Sequence, residues 1–224
     1  MCWRSCASAA LAVLTVATPA RACDLALALA VDVSGSVDGS EYRLQMDGLA
    51  AGLRDSVIAE ALVRGRSHLM LVQWTGSSRQ NLTLPWTEMS DFAALDRFAR
   101  DVTETPRAWR NYSTAIGEAL TFTLKQFGDA PDCARRVIDV SGDGQSNEGL
   151  EPHTLRAALS RAGVTVNGIA IEASEPDLTA YYFENVIAGN GAFVVTAARF
   201  EDYAREIRRK LLREIVDQTA LAHP

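Results

Sequence analysis

Asp32, Ser34 and Ser36 stand at alternate positions of the run Asp32-Val33-Ser34-Gly35-Ser36. One carboxylate and two hydroxyls so spaced make a cluster of hard oxygen donors. Such donors suit Mg²⁺, Mn²⁺ or Ca²⁺ and suit Zn²⁺ or Cu²⁺ poorly. A second oxygen-rich segment is Ser141-Gly142-Asp143-Gly144-Gln145-Ser146-Asn147, where the glycines permit a tight turn and Asp143 adds another carboxylate. A third, Arg110-Asn111-Tyr112-Ser113-Thr114, leads into a helical pattern and can present the Thr114 hydroxyl at its start. Asp-x-Ser-x-Ser alone more often caps a helix than holds an ion. These segments do metal chemistry only if the fold gathers them.

The elements around them would do that. Leu25 to Val31 is a continuous apolar run, the pattern of a strand buried on both faces, and Asp32 follows it directly. Helical spacing covers Asp38 to Leu62 as one helix. Ser67 to Thr75 reads as a strand, and Arg79 to Trp86, broken by Pro85, as an edge strand. Asp91 to Val102, with Ser90 as N-cap, and Thr114 to Phe127 read as helices. Arg135 to Ser141 is a strand that runs into the Asp143 loop. Pro152 to Ala162 is a helix stopped by Gly163, Val164 to Ile171 a strand, and Pro176 to Ala188 a helix stopped by Gly189. Ala192 to Thr196 is a short strand and Arg199 to Val216 an amphipathic closing helix. Strands alternating with helices predict a doubly wound α/β domain with a mostly parallel six-stranded sheet. In such sheets ligands bind outside the carboxyl ends of the strands, where strand order reverses.

Residues 1–22 read as a secretory leader rather than as part of the fold. Arg4 precedes an apolar stretch, Ala7 to Val16, too short to span a bilayer, and Ala20-Arg21-Ala22 makes a cleavage site before Cys23. Residues 23–224 then form one domain, exported to the periplasm or secreted. Lipidation at Cys23 is a minor alternative, since Arg21 stands where a lipoprotein signal has a small uncharged residue. The whole chain carries a net charge of −6, which argues against nucleic acid or anionic lipid as partner. Cys23 and Cys133 remain after cleavage, each just ahead of a strand that ends in an aspartate loop. If those strands are parallel neighbours, the cysteines meet at one end, within disulfide reach, and the aspartates at the other.

The set Asp32-x-Ser34-x-Ser36, then Thr114, then Asp143 resembles the metal-ion-dependent adhesion site of von Willebrand factor A domains, in the same order along the chain. Thr114-Ala-Ile-Gly117-Glu-Ala-Leu120 resembles that family's Thr-x-Thr-Gly-x-Ala-Leu helix start. Ile138-Asp-Val-Ser-Gly-Asp-Gly144 resembles an uncharacterised exported bacterial branch. The resemblance implies a cation, Mg²⁺ by default and Mn²⁺ or Ca²⁺ as alternatives, ligated directly by Ser34 and Ser36. It further implies that Thr114 binds directly or through water, that Asp32 and Asp143 act through water, and that a partner's carboxylate completes the shell. The chain departs from the pattern at Ile116, which replaces a threonine, and at Ser141-Gly142, which replaces an apolar-Thr pair before the aspartate.

Asp38 and Glu41 fit a capping box better than outer ligands. His68 and His153 read as surface or packing residues, and Trp74 as core. Trp109, Gln145 and Asn147 are candidates for a partner-contacting rim. The function expected is a binding module that captures an acidic side chain of a protein partner without turnover. One alternative is a metal-assisted hydrolase on the same strand end. Against it, the second acid that aspartyl-phosphate enzymes carry two residues after the nucleophile is here Ser34, no lysine occupies the matching loops, and no Gly-x-Gly-x-x-Gly turn or Ser-His-Asp set is evident. A structural domain with an unused site is the other.

Overall fold

The computed structural model describes residues 23–217; the leader expected at residues 1–22 lies outside them. The strands are β1 (Cys23–Asp32), β2 (His68–Trp74), β3 (Gln80–Glu88), β4 (Cys133–Gly142), β5 (Val164–Ile171) and β6 (Val194–Ala197). They form one sheet in the order β3-β2-β1-β4-β5-β6. All neighbours are parallel except β2 and β3, which are antiparallel. Strand order reverses between β1 and β4, so the switch point lies where Asp32 and the Asp143 loop leave the sheet. The doubly wound, mostly parallel α/β fold expected from the sequence is the fold observed.

The helices are α1 (Gly39–Leu53), α2 (Ser56–Arg64), α3 (Phe92–Glu104), α4 (Ile116–Gln126), α5 (Arg156–Ala162), α6 (Leu178–Tyr181) and α7 (Tyr203–Leu211). The period of two in β1 assigns them to faces. Leu25, Leu27, Leu29 and Val31 pack with Met46 and Leu49 of α1, Ile58 of α2, Phe98 of α3 and Ile207 of α7. Ala26, Ala28 and Ala30 face the other way, toward Ile116 and Leu120 of α4, Leu159 of α5 and Leu178 of α6. The small alanines leave room on that face for Trp74 and Met70 of β2 beside them.

Several boundaries differ from expectation, each for a local reason. The helix expected from Asp38 to Leu62 is two, because Asp55 accepts from the Val57 and Ile58 N–H groups and starts α2 afresh. Asp91, not Ser90, caps α3, accepting from Ala94 N at 2.7 Å. Thr114 precedes α4 rather than opening it. The helix expected over Pro176–Ala188 is α6 followed by a π-turn, Tyr182–Val186, after which Ala188 bridges Val166. Asp38 and Glu41 do form the capping box of α1.

At the amino ends of the strands, Cys23 pairs in register with Cys133 and the two form a disulfide closing 110 residues of sequence. On the leucine face, α7 is tied down by charge. Lys210 is fully buried, with its Nζ 2.7 Å from Asp139 Oδ2 of β4 and 3.2 Å from Glu214 Oε2, both carboxylates also buried. Glu214 also accepts from Asn167 Nδ2 of β5 at 2.6 Å. Burial pushes the Asp139 carboxyl up to about 7, against the pull of Lys210.

Two outcomes are expected in urea denaturation. Replacing both cysteines by serine lowers stability by about 2–4 kcal/mol, because a long loop is freed in the unfolded chain; an unchanged midpoint would contradict this. Lys210→Met costs about 3–5 kcal/mol at pH 8, because two buried carboxylates lose their cation. The cost shrinks toward pH 5 as Asp139 takes up its proton, and an equal cost at both pH values would contradict the charge account.

Candidate metal centre

At the switch point, Asp32 is fully buried. Its Oδ1 accepts from Ser34 N at 2.7 Å, while Oδ2 is buried with no hydrogen-bond partner. The Ser34 and Ser36 hydroxyls lie 3.1 Å apart, and Ser36 Oγ donates to Asp143 Oδ1 at 2.6 Å. Asp143 Oδ2 is likewise buried and unpartnered. Two carboxylates therefore share one pocket with one unsatisfied oxygen each. Burial, then the nearby Asp143 charge, pushes the Asp32 carboxyl from its ordinary 3.8 up to about 8. Burial also raises Asp143, opposed by the Ser36 hydroxyl. Leaving such groups without a compensating charge is costly. Buried acid oxygens beside hydroxyls are the donor set that fits a hard divalent cation.

Thr114 reaches the same place from a loop held at several points. Its N–H donates to Asn147 Oδ1 at 3.0 Å and its carbonyl accepts from Asn147 N at 2.9 Å. Ala115, at the N-cap position of α4, has no capping side chain; Ser146 Oγ accepts from Ile116 N at 3.2 Å instead. A Cβ at Gly117 would overlap the Leu150 carbonyl, so this glycine lets α4 lie directly on the loop that follows β4. A Cβ at Gly144 would stand 3.7 Å from Thr114 Oγ1 and 3.6 Å from Glu175 Oε2. Thr114 and Glu175 thus flank Gly144.

The Ser141-Gly142 departure has a physical reason. A Cβ at position 142 would come within 2.5 Å of the Tyr182 hydroxyl and 2.9 Å of Asp32 Oδ2. The buried Tyr182 phenol fills the space that a larger residue would take, and its hydroxyl has no hydrogen-bond partner. Ile116 points into the core between β1 and α4, away from the oxygens.

The five residues singled out as ligands converge on the strand ends. Of the rim candidates, Gln145 is exposed and its N–H donates to Glu175 Oε2 at 2.9 Å; Asn147 is exposed, with its Oδ1 accepting from Thr114 N; Trp109 is half-buried against the leucine-face core. Tyr112 is the exposed aromatic of that loop, with the Arg79 guanidinium 3.7 Å from its ring centre. Three residues had no sequence signal: Tyr182, Glu175 and Arg107, whose guanidinium donates to the carbonyls of Val33 at 3.1 Å and Ser34 at 2.7 Å. All three reach the site through tertiary contacts alone. Cys23, His68 and Cys133 also place potential ligand atoms within 4.8 Å of one another, but at the opposite end of the strands. Joined as a disulfide, the two sulfurs are not thiolates, which leaves one imidazole.

A model of a protein family of unknown function, DUF1194, matches residues 22–219. No curated protein sequence matches the chain. Among solved structures, proximal thread matrix protein 1 from the mussel byssus, with a zinc-occupied MIDAS motif, superposes with a TM-score of 0.61 at 20% identity, over 89% of this chain and 49% of that one. A von Willebrand factor type A protein from Catenulispora acidiphila gives 0.59 at 16% identity, over 86% and 43%. The hypothetical protein BatB from Bacteroides thetaiotaomicron gives 0.54 at 17%, over 86% and 99%. The chain spans about half the length of the mussel protein, and at these identities the likeness is one of fold. The fold is that of von Willebrand factor A domains, as the sequence resemblance implied, and the chain belongs to the DUF1194 family.

Proposed function

We propose that this chain is an exported binding module, periplasmic or secreted, that holds a divalent cation and uses it to capture an acidic side chain of a protein partner. The carrying observation is the pair of buried, unsatisfied carboxylate oxygens of Asp32 and Asp143 beside the Ser34 and Ser36 hydroxyls. Ser34, Ser36 and Thr114 would offer hydroxyl oxygens, and Asp32 and Asp143 the charge behind them. Mg²⁺ is the default ion, with Mn²⁺ or Ca²⁺ as alternatives; the zinc in the mussel protein's motif makes Zn²⁺ a necessary control. When bound, such an ion supplies an electropositive open position for an external carboxylate. Few anionic donors contact it directly, which leaves it attractive to that group. Gln145, Asn147 and Trp109 would border the position, Asn147 by fixing the loop that carries Thr114. The leader pattern expected at residues 1–22 and the disulfide support export, since disulfides persist in oxidising compartments.

Calorimetric titration of Mg²⁺, Mn²⁺ and Zn²⁺ into chelator-treated protein is expected to show one site. Ser34→Ala with Ser36→Ala is expected to abolish it while the circular dichroism spectrum stays unchanged. Stoichiometric binding retained in that double variant would contradict the reading.

The charge pair makes a second expectation. In metal-free protein Asp32 holds its proton up to about pH 8, whereas the unfolded chain loses it near 3.8. The folded state binds the extra proton across that window, so this group's contribution to stability falls as pH rises through it. Asp32→Asn in chelator is therefore expected to be more stable than the parent, by about 1–3 kcal/mol at pH 8 and by less at pH 5. Destabilisation of equal size at both pH values would contradict the charge account.

A further inference from the structure

Beside the candidate metal centre lies an open cleft of about 700 Å³, lined on one side by Gly35, Asp38 and Arg43 and on the other by Glu104, Arg107 and Arg110. Gly35 sits between Ser34 and Ser36, so the cleft begins where those hydroxyls end. It is walled by the loop after β1 with the start of α1, and by the segment after α3.

The charges on these walls are unevenly committed. Asp38 accepts from Ser40 N, Ser40 Oγ and Glu41 N as the cap of α1. Arg43 donates to the Thr103 carbonyl. Arg107 spends its NH2 group on the Val33 and Ser34 carbonyls, while its buried Nε has no partner. Arg110 is exposed and makes no ion pair among the described residues. Burial and the neighbouring Arg110 guanidinium both disfavour the charge on Arg107, with only partial relief from Asp32 and Asp38. Glu104 is the one uncommitted acid on the wall. Two guanidiniums repelling each other in a cleft of an otherwise acidic chain call for an anion, and a carboxylate matches their planar donor geometry.

We infer that this cleft is a second acidic subsite, so that the partner segment carries two acidic side chains close in sequence, one for the cation and one for Arg107 and Arg110. The inference rests on the proposed metal-dependent capture and specifies its ligand. In an extended segment alternate side chains lie about 6.8 Å apart on one side, so an acid two positions from the captured one can enter the cleft.

The test uses two peptide probes on the full mature protein, followed by calorimetry or by amide shifts: acetyl-Gly-Glu-Gly-amide and acetyl-Glu-Glu-Glu-amide. In saturating Mg²⁺ the triacidic probe is expected to bind at least tenfold tighter. Arg110→Ala is expected to reduce that preference to threefold or less, with Mg²⁺ affinity and binding of the single-acid probe unchanged. Arg110→Lys is expected to restore part of it. Equal affinity for the two probes, a preference untouched by Arg110→Ala, or binding of neither probe to the Mg²⁺-loaded protein would overturn the subsite. Binding of inorganic phosphate in place of both peptides would overturn it as well. If the protein takes up no cation, metal-dependent capture fails. The cleft is then judged in chelator: triacidic binding that Arg110→Ala removes supports it, and no binding overturns it.

Discussion

Asp32 and Asp143 are buried together at the ends of two adjacent strands, each with an oxygen that finds no donor, and the rest of the functional end is arranged around that unfavourable pair. A folded chain gains nothing in stability from it. Burial raises both carboxyls, and the Asp143 charge raises Asp32 further, so ionising Asp32 costs the fold stability. Buried acid oxygens at a topological switch point, lined by hydroxyls, are what the proposed cation site rests on.

Holding that pair in place takes contacts from several parts of the chain. The β1–β4 pairing sets the two aspartates side by side, and the Cys23–Cys133 bridge fixes the same pairing at its far end. Tyr182 closes the space behind Gly142. Asn147 and Ser146 of the β4 loop fasten the backbone of Thr114 and the start of α4, which ties the third hydroxyl to the Asp143 loop. Arg107 is a neighbouring cation, but it spends its NH2 group on the carbonyls of Val33 and Ser34. It braces the serine loop and leaves the buried carboxylates unneutralised.

A second charged cluster shows the contrast. Asp139, Lys210 and Glu214 are equally buried, yet there the chain supplies its own cation from α7. That triad joins the last helix to β4 and β5 and has a structural role. The strand end has carboxylates without a lysine, which is why one cluster is fastening and the other is a candidate binding centre.

What was legible in the sequence came from short-range pattern. The Leu/Ala alternation before Asp32 marked a central strand, and matched spacing from each cysteine to its aspartate loop placed the disulfide and the site at opposite ends. Helix ends were less legible, because Asp55 and Asp91 act through side-chain hydrogen bonds that compete with periodicity. Tyr182, Glu175, Arg107 and the Lys210 triad left no trace in local pattern, since each meets its partners only after the chain has folded. The most direct test of the central claim is anomalous diffraction from crystals grown with Mn²⁺. The account requires one strong peak within bonding distance of the Ser34 and Ser36 hydroxyls, between Asp32 and Asp143. Ordered crystals with no peak there, or with the peak beside His68 at the disulfide end, would contradict it.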